Sequence, residues 1–510
     1  MTPFPDSNKR LNLAVALNSA AMLLFFFWLS FYRNVDGDEG LYLEAARLVA
    51  EGKSLYFDFF YQQMPLIPYL YAGWMKIFGF GFFQGRFLCA LFTALAGTAY
   101  LYYVARKTRS FWKVQWMAVL FYANGLILAW ASVVKTHPLN VFALTVSCVL
   151  LVEWRSRGGK PLWLLALAGF VIGMGVCGRL TLAPFPVFFL AFVFAFSQGR
   201  RWADCGVFTF FVVLATVPAL YFFFRDPSLF LQYNLTYHQE VFPRVADAAR
   251  RSQIARSTFL QPQTFLLVVL AQLGVLMTAT RGGRKFLKSD EAFFAFVSAV
   301  FIAVHMAAAE PFTQYFAAIV PCLLLSGLPI LDLGTTVLRK AALATVLLYY
   351  LFTARPLFEF EIRSMGSADY VWRVSNVVAA ANRAESLIRP GEPCITWWPG
   401  YAFMANCRSP KGMENHMRIF AINVGTPREQ LREYGMLPDQ DLYDLLASGE
   451  VRVVLDGAYH LPGPLGDSVR KLIRRKYRLV DQVGGVRIYL ARSPRVPKTV
   501  NGEGFERSPR

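Results

Sequence analysis

Residues 11 to 354 alternate between long stretches that are apolar on every side and short segments that carry most of the charge. A helix apolar all round is buried or lies in lipid, and about 17 to 21 such residues cross a hydrocarbon core of roughly 30 Å. The pattern predicts eleven spans: Leu11–Phe31, Phe87–Ala105, Val114–Val134, Leu139–Trp154, Pro161–Gly178, Leu180–Phe196, Cys205–Phe224, Thr264–Thr280, Ala292–Ala309, Tyr315–Leu331 and Ala341–Ala354. The fourth and the last are short. The first run is long, lacks a small-residue exit and leads straight into an acidic segment, so it reads as a retained anchor.

Beyond residue 355 the period changes. "PCITWW", "VRVVLDG" and "YRLVDQVGGVRIYLAR" read as strands, the last folded at Gly-Gly into a hairpin. "YVWRVSNVVAAANRAESLI" and "QDLYDLLASGE" have helical spacing. The expected organisation is a mostly α, polytopic transmembrane bundle over 1–355 with a large first loop at 32–86. A small α/β domain over 356–493 and a disordered Pro- and charge-rich tail over 494–510 follow.

Composition agrees: the 510 residues are 55% hydrophobic, and the mean hydropathy is +0.38, whereas soluble domains are about 45–50% apolar. The net charge of +19 gathers in short loops at Lys9 and Arg10, Arg106 to Lys113, Arg155 to Lys160, Arg200 and Arg201, Arg281 to Lys288, and Arg339 and Lys340. Cytoplasmic loops retain such residues, so the N-terminus is expected inside, in a cell (inner) membrane. Residues 32–86, 225–263 and everything after residue 355 are then extracytoplasmic. The charge is explained by topology and calls for no nucleic acid. Cys394 and Cys407 fall in the outer domain, where an oxidising compartment permits a disulfide that their spacing does not demand.

The chain leaves the first span through "RNVDGDEGLYLEAARLVAEG", residues 33–52, with Asp36, Asp38 and Glu39 crowded together. A calcium loop is excluded: counted from Asn34, the sixth position is Glu39 instead of Gly and the twelfth is Ala45 instead of Glu. A solvated turn is the bland alternative. Against it stand "VVKTHPL", "GRLTLAP", "NLTYHQEVFPR" and "EPFTQYFAAIVP", all expected at the same outer face. Charge at membrane depth costs about 3 kcal/mol per group even on lenient scales, so a rim of acids and bases points to one shared site.

The string "GDEGLYLEAARLVAEGKSLYFDFFYQQMPLIPYLYAGWMKIFG", followed by R-L-T and the P-F-x-Q-Y-F segment, resembles the polytopic glycosyltransferases that include protein O-mannosyltransferases and the lipid A aminoarabinose and galacturonic acid transferases. The resemblance implies a GT-C fold, a polyprenyl-phosphate sugar donor, an extracytoplasmic acceptor and inversion at the anomeric carbon. It implies Asp38 as the first-loop catalytic acid, with Glu39 beside it in a positioning role, while Asp36 reads as generic loop charge. Arg179 is the candidate phosphate grip, its fork suited to phosphate oxygens, against a bland role in interfacial snorkelling. Lys135 and His137 stand where many relatives carry a second acidic residue, so a cationic grip is expected there and a two-carboxylate metal site is in doubt. Tyr42, Tyr237, His238, Glu310, Gln314 and Tyr315 are candidates to line the donor and acceptor cavity. A divalent cation stays open, as does the choice of sugar and acceptor. The rival is a transporter or lipid flippase, whose marks are mid-span ionisable residues and paired repeats. His305 is the one exception to otherwise charge-free span centres.

Overall fold

The computed structural model describes residues 5–241, 248–308, 311–333, 336–354, 370–389, 391–423, 425–461 and 463–492. The tail at 494–510 and the start of the outer domain, 356–369, lie outside them, as does Glu310.

Helix occupies most of each of the eleven apolar runs. Among the described residues, seven helices are long and apolar enough to cross a membrane, and Leu162–Gly178 and Leu180–Phe196 are shorter apolar helices. The expected third span is the clearest departure. It is split into Phe111–Tyr122 and Gly125–Trp130 because the Asn124 side chain accepts from the N–H groups of Leu126 and Ile127, capping a second helix inside the run. Asn124 also donates to the Tyr350 hydroxyl at 2.8 Å, so the polar break is buried and satisfied. After Trp130 the chain runs without helix to Thr136, and Lys135 and His137, both buried, lie at this break. The helix Leu162–Gly178 packs closely on Arg201–Arg225: a Cβ at Gly169 would lie 2.4 Å from the Phe208 carbonyl oxygen, the small-residue contact typical of membrane helices.

The loops rich in Lys and Arg meet one another. Asp290, opening the helix Asp290–Ala307, bonds Lys107 at 2.6 Å, the Tyr103 hydroxyl at 2.8 Å and Arg155. Lys135 and Thr136 precede the opposite end of the Arg155 helix, His137–Ser156.

The C-terminal part, expected outside, carries a four-stranded sheet, β1 (Cys394–Thr396), β2 (Val453–Asp456), β3 (Tyr477–Val483) and β4 (Val486–Ala491), in the order β1-β2-β4-β3. β1 and β2 are parallel and the remaining pairs antiparallel. Gly484 and Gly485 turn β3 into β4 with φ of 49° and 79°, a two-residue turn that needs positive φ at both positions. The helix Val374–Glu385 falls within the first helical stretch expected, and Asp439–Ser448 matches the second, beginning one residue before it. Cys394 and Cys407 are joined by a disulfide.

Candidate active site at one end of the bundle

The first outer loop is built around Glu39. This carboxylate opens the helix Glu39–Ala50 and is fully buried. Arg86 grips it bidentately, Nη2 to Oε1 at 2.6 Å and Nε to Oε2 at 2.9 Å. The Val134 N–H donates to Oε2 at 3.1 Å, and the Asp36 N–H to Oε1 at 2.9 Å. Arg86 spends its other protons on the carbonyls of Ser30, Arg33 and Asn34. Glu39 therefore ties the first loop to the helix Phe82–Thr108 and to the loop before His137.

The next residue back is turned the other way. Asp38 holds the N-cap position of the same helix without a side-chain cap bond, and its side chain is 29% exposed, against 19% for Asp36 and 0% for Glu39. Its Oδ2 lies 2.8 Å from Lys135 Nζ and its Oδ1 3.3 Å from His416 Nε2. Asp36 is not generic loop charge: its Oδ1 also pairs with Lys135 at 2.8 Å and accepts the Asp38 N–H at 2.9 Å. Burial works to raise the Asp38 pKa, but the charge of Lys135, followed by His416, holds it well below the usual carboxylate range. Burial likewise opposes the Lys135 ammonium, and the two aspartates outweigh it, raising its pKa. The pair is locked in its ionised form.

Arg179 stands beside Lys135. It lies between the helix Leu162–Gly178 and the turn Leu180–Leu182, and its Nη1 donates to the Thr136 hydroxyl at 2.8 Å. Its guanidinium carbon is 4.0 Å from the Tyr315 ring centroid, and its Nε is buried without a hydrogen-bond partner. The Tyr315 ring lies 5.5 Å from His137 and 5.4 Å from His305. His305 meets the Thr181 hydroxyl at 3.0 Å and the Phe301 carbonyl at 3.0 Å, so its ring has local partners. Tyr42 completes the floor. Its hydroxyl donates to Gln63 Oε1 at 2.9 Å, and its pKa is raised first by burial and then by Asp38, against the fields of Arg179 and Lys135. The structure thus brings Asp38, Lys135, His137, Arg179, Tyr315 and Tyr42 together.

The remaining candidates lie around this centre. His238 Nε2 meets the Gln62 carbonyl oxygen at 2.7 Å, and burial first, with Arg179 contributing, lowers its pKa. Tyr237 packs between Phe60 and Tyr434, with ring centroids at 5.0 and 5.2 Å. Gln314 is half-buried on the short helix Thr313–Ile319 beside Tyr315. No group of three or more His, Cys, Asp or Glu side chains suited to a metal ion occurs among the described residues.

The outer domain closes over the first loop. Val35 N–H donates to the Trp372 carbonyl at 2.7 Å, the Trp398 indole to the Gly37 carbonyl at 2.7 Å, Arg47 to the Cys407 carbonyl at 2.8 Å, and the Asn415 amide to Gln62 Oε1 at 2.7 Å. Both glycines of "GDEG" make room for this. A Cβ on Gly37 would sit 1.9 Å from the Tyr459 hydroxyl, and one on Gly40 2.4 Å from the Gly400 nitrogen. Arg86, Trp398, His416 and Tyr459 were not singled out by the sequence pattern. "ENHMR" offers a lone histidine with no spacing that ties it to residue 38.

Two buried carboxyls lie near this junction. Glu44, fully buried and bonded to Arg47 at 2.5 Å, is pushed up to about 7, chiefly by burial. Glu414 is also pushed up to about 7, by burial first and with Glu44 adding to it. Both bind protons in the folded state that an unfolded carboxyl, with its ordinary value of 4.5, has released. Stability is therefore fully present below about pH 4.5 and declines as pH rises through about 7. Thermal melts followed by tryptophan fluorescence should show a midpoint a few degrees higher at pH 6 than at pH 8, and Glu44→Gln should flatten the difference. Equal parental midpoints at the two pH values would contradict it.

Comparison with solved structures identifies the architecture. A crystal structure of ArnT from Cupriavidus metallidurans bound to undecaprenyl phosphate superposes with a TM-score of 0.67, at 13% identity, over 93% of this chain and 97% of that one. The chain has an ArnT-like GT-C fold. The archaeal oligosaccharyltransferase AglB from Archaeoglobus fulgidus, in complex with an inhibitory peptide and a dolichol-phosphate, matches at a TM-score of 0.50 and 14% identity, over 88% of this chain and 69% of that one. Residues 62–222 match the family model described as dolichyl-phosphate-mannose-protein mannosyltransferase. No curated protein sequence matches the chain. Within the GT-C fold of this chain the match to the family model begins at Gln62 and runs through Arg86, Lys135 and Arg179.

Proposed function

We propose that this protein is an inverting glycosyltransferase that moves a sugar from a polyprenyl-phosphate donor to a hydroxyl of an extracytoplasmic acceptor, an envelope glycan, lipid or protein. The observation that carries the reading is a part-exposed carboxylate, Asp38, paired with Lys135, with a second cation, Arg179, bonded to the next residue, Thr136. A lipid-anchored donor delivers its phosphate to that depth. The ArnT and AglB structures hold undecaprenyl phosphate and dolichol-phosphate respectively, which supports a donor of this class.

In this reading the acceptor oxygen attacks the anomeric carbon from the face opposite the phosphate. The bond from that carbon to the phosphate oxygen breaks, its electron pair leaving with the polyprenyl phosphate, and the acceptor proton passes to Asp38. No acid is needed for a leaving group that departs as a stabilised anion. Lys135 serves both sides of the reaction. In the resting site it pairs with Asp36 and Asp38, which makes Asp38 a weak base, since bases work best with a pKa near the operating pH. As charge grows on the departing phosphate, Lys135 and Arg179 turn their protons to it, and Asp38 regains basicity at the moment a proton must be taken.

The test is sugar transfer from a synthetic polyprenyl-phosphate donor to a membrane-impermeant acceptor in right-side-out vesicles, which reads function and orientation together. Arg179→Ala should use donor about 10 to 100 times less well, on the scale of about 1.5 to 3 kcal/mol for a lost charge-assisted bond, with Arg179→Lys between. Unchanged donor KM in folded Arg179→Ala protein would leave Arg179 a packing partner of Tyr315.

A further inference from the structure

The carboxylate of Asp38 is held on both oxygens, and only one of its partners belongs to the membrane bundle. Lys135 takes Oδ2; the other partner, His416, arrives from the outer domain, 378 residues along the chain, with Nε2 at 3.3 Å from Oδ1. The imidazole is 2% exposed, and its ring lies parallel to that of Tyr459, 8° between planes and 4.9 Å between centroids. The neighbouring Asn415 is tied to Gln62 of the first loop at 2.7 Å, and the Tyr459 hydroxyl lies against Gly37. The ring is thus fixed by a stack on one side and by its backbone on the other.

The proton arrangement follows from the surroundings. His416 Nδ1 is buried with no hydrogen-bond partner. Nε2 makes no hydrogen bond either, but it stands 3.3 Å from a carboxylate oxygen, so the Nε2–H tautomer leaves the proton beside an acceptor. A donor in that place limits the rotation of the Asp38 carboxyl about its last bond. With Lys135 on Oδ2, the group then presents a single orientation to an incoming hydroxyl.

We propose that His416 is a positioning residue for Asp38, and that the outer domain thereby forms part of the reaction centre instead of only covering it. This rests on the reading in which Asp38 takes the acceptor proton. His416 is not itself the base, because both its ring nitrogens are buried away from any substrate.

Besides His416, the charged and titratable groups around Asp38 are Lys135 and Asp36 from the loops, Tyr42 from the first-loop helix, Tyr459 from the outer domain and His137 at the bundle end. Of these, only Lys135 and His416 contact the Asp38 carboxylate oxygens within 4 Å. Replacing His416 with phenylalanine keeps the stack on Tyr459 and removes the donor. Because His416 helps hold Asp38 ionised, its loss raises the pKa of Asp38, and the acid limb of the kcat/KM profile moves to higher pH.

His416→Phe should lower kcat about 10- to 100-fold, the scale of a misplaced reacting group, with donor KM within about twofold of parental and the acid limb shifted upward. His416→Gln, whose amide nitrogen can reach the place of Nε2, should recover most of the rate and move the limb back. Parental kcat and an unshifted limb in His416→Phe would make the ring a packing element and overturn the proposal. So would equal losses in both variants with the limb unmoved. If parental protein transfers sugar and Asp38→Asn does not, such a result overturns His416 alone; if parental protein transfers none, or Asp38→Asn is fully active, the transferase reading falls and this proposal with it.

Discussion

An Asp38→Asn protein should transfer sugar about 10² to 10⁴ times more slowly than the parental chain, the usual cost of removing a general base. Asparagine keeps the size of the side chain and one accepting oxygen, so the helix start and the His416 contact can persist. What it lacks is a site for the acceptor's proton. The substitution also sets an amide where Lys135 finds a carboxylate oxygen at 2.8 Å, so the control is Asp36→Asn, which removes one anion from the same lysine without touching the proposed base. Because Asp36 shares Lys135 and orders the Asp38 N–H, that control should show an intermediate loss. Rates are measured on protein shown by melting to be folded in detergent. Parental turnover in folded Asp38→Asn protein would end the catalytic reading of this loop.

The second large effect concerns Glu39, and it should appear in folding before it appears in chemistry. Glu39→Gln leaves Arg86 charged and fully buried without its carboxylate, and breaking such a pair from one side costs about 3 to 5 kcal/mol. Folded yield and melting midpoint should fall sharply, with turnover lost in proportion to folded protein. The double change Glu39→Met with Arg86→Met should recover part of the yield, since it removes both charges at once. Recovery is partial because the carbonyls of Ser30, Arg33 and Asn34 lose the donors Arg86 supplies. A Glu39→Gln protein that melts with the parental chain yet turns over no sugar would assign Glu39 a chemical role.

The contrast between these neighbours shows what a sequence can and cannot disclose. "DGDE" at the exit of an apolar run is conspicuous because charge at that depth is expensive, and that cost is local. The division of labour between Asp38 and Glu39 is not local. It depends on Arg86, contributed by another helix, and on which way a helix start turns two consecutive side chains. Local rules carried the outer strands and the Gly484–Gly485 hairpin as well, since alternation and turn chemistry are short-range. They passed over Asn124, whose cap divides a run that is otherwise apolar enough to cross. His416 carried no signal at all, because its meaning is a distance to residue 38 that only the folded chain creates.

The bonds from Val35, Gly37 and Arg47 to Trp372, Trp398 and Cys407 join the opening of the chain to its closing part. During synthesis the first loop emerges long before its partners exist, with a buried-to-be arginine and several aromatic rings uncovered. It must wait for every later helix before its last walls arrive. The walls of the first loop are therefore complete only once the last third of the chain has folded onto it, and a chain cut short before Trp372 leaves that loop open.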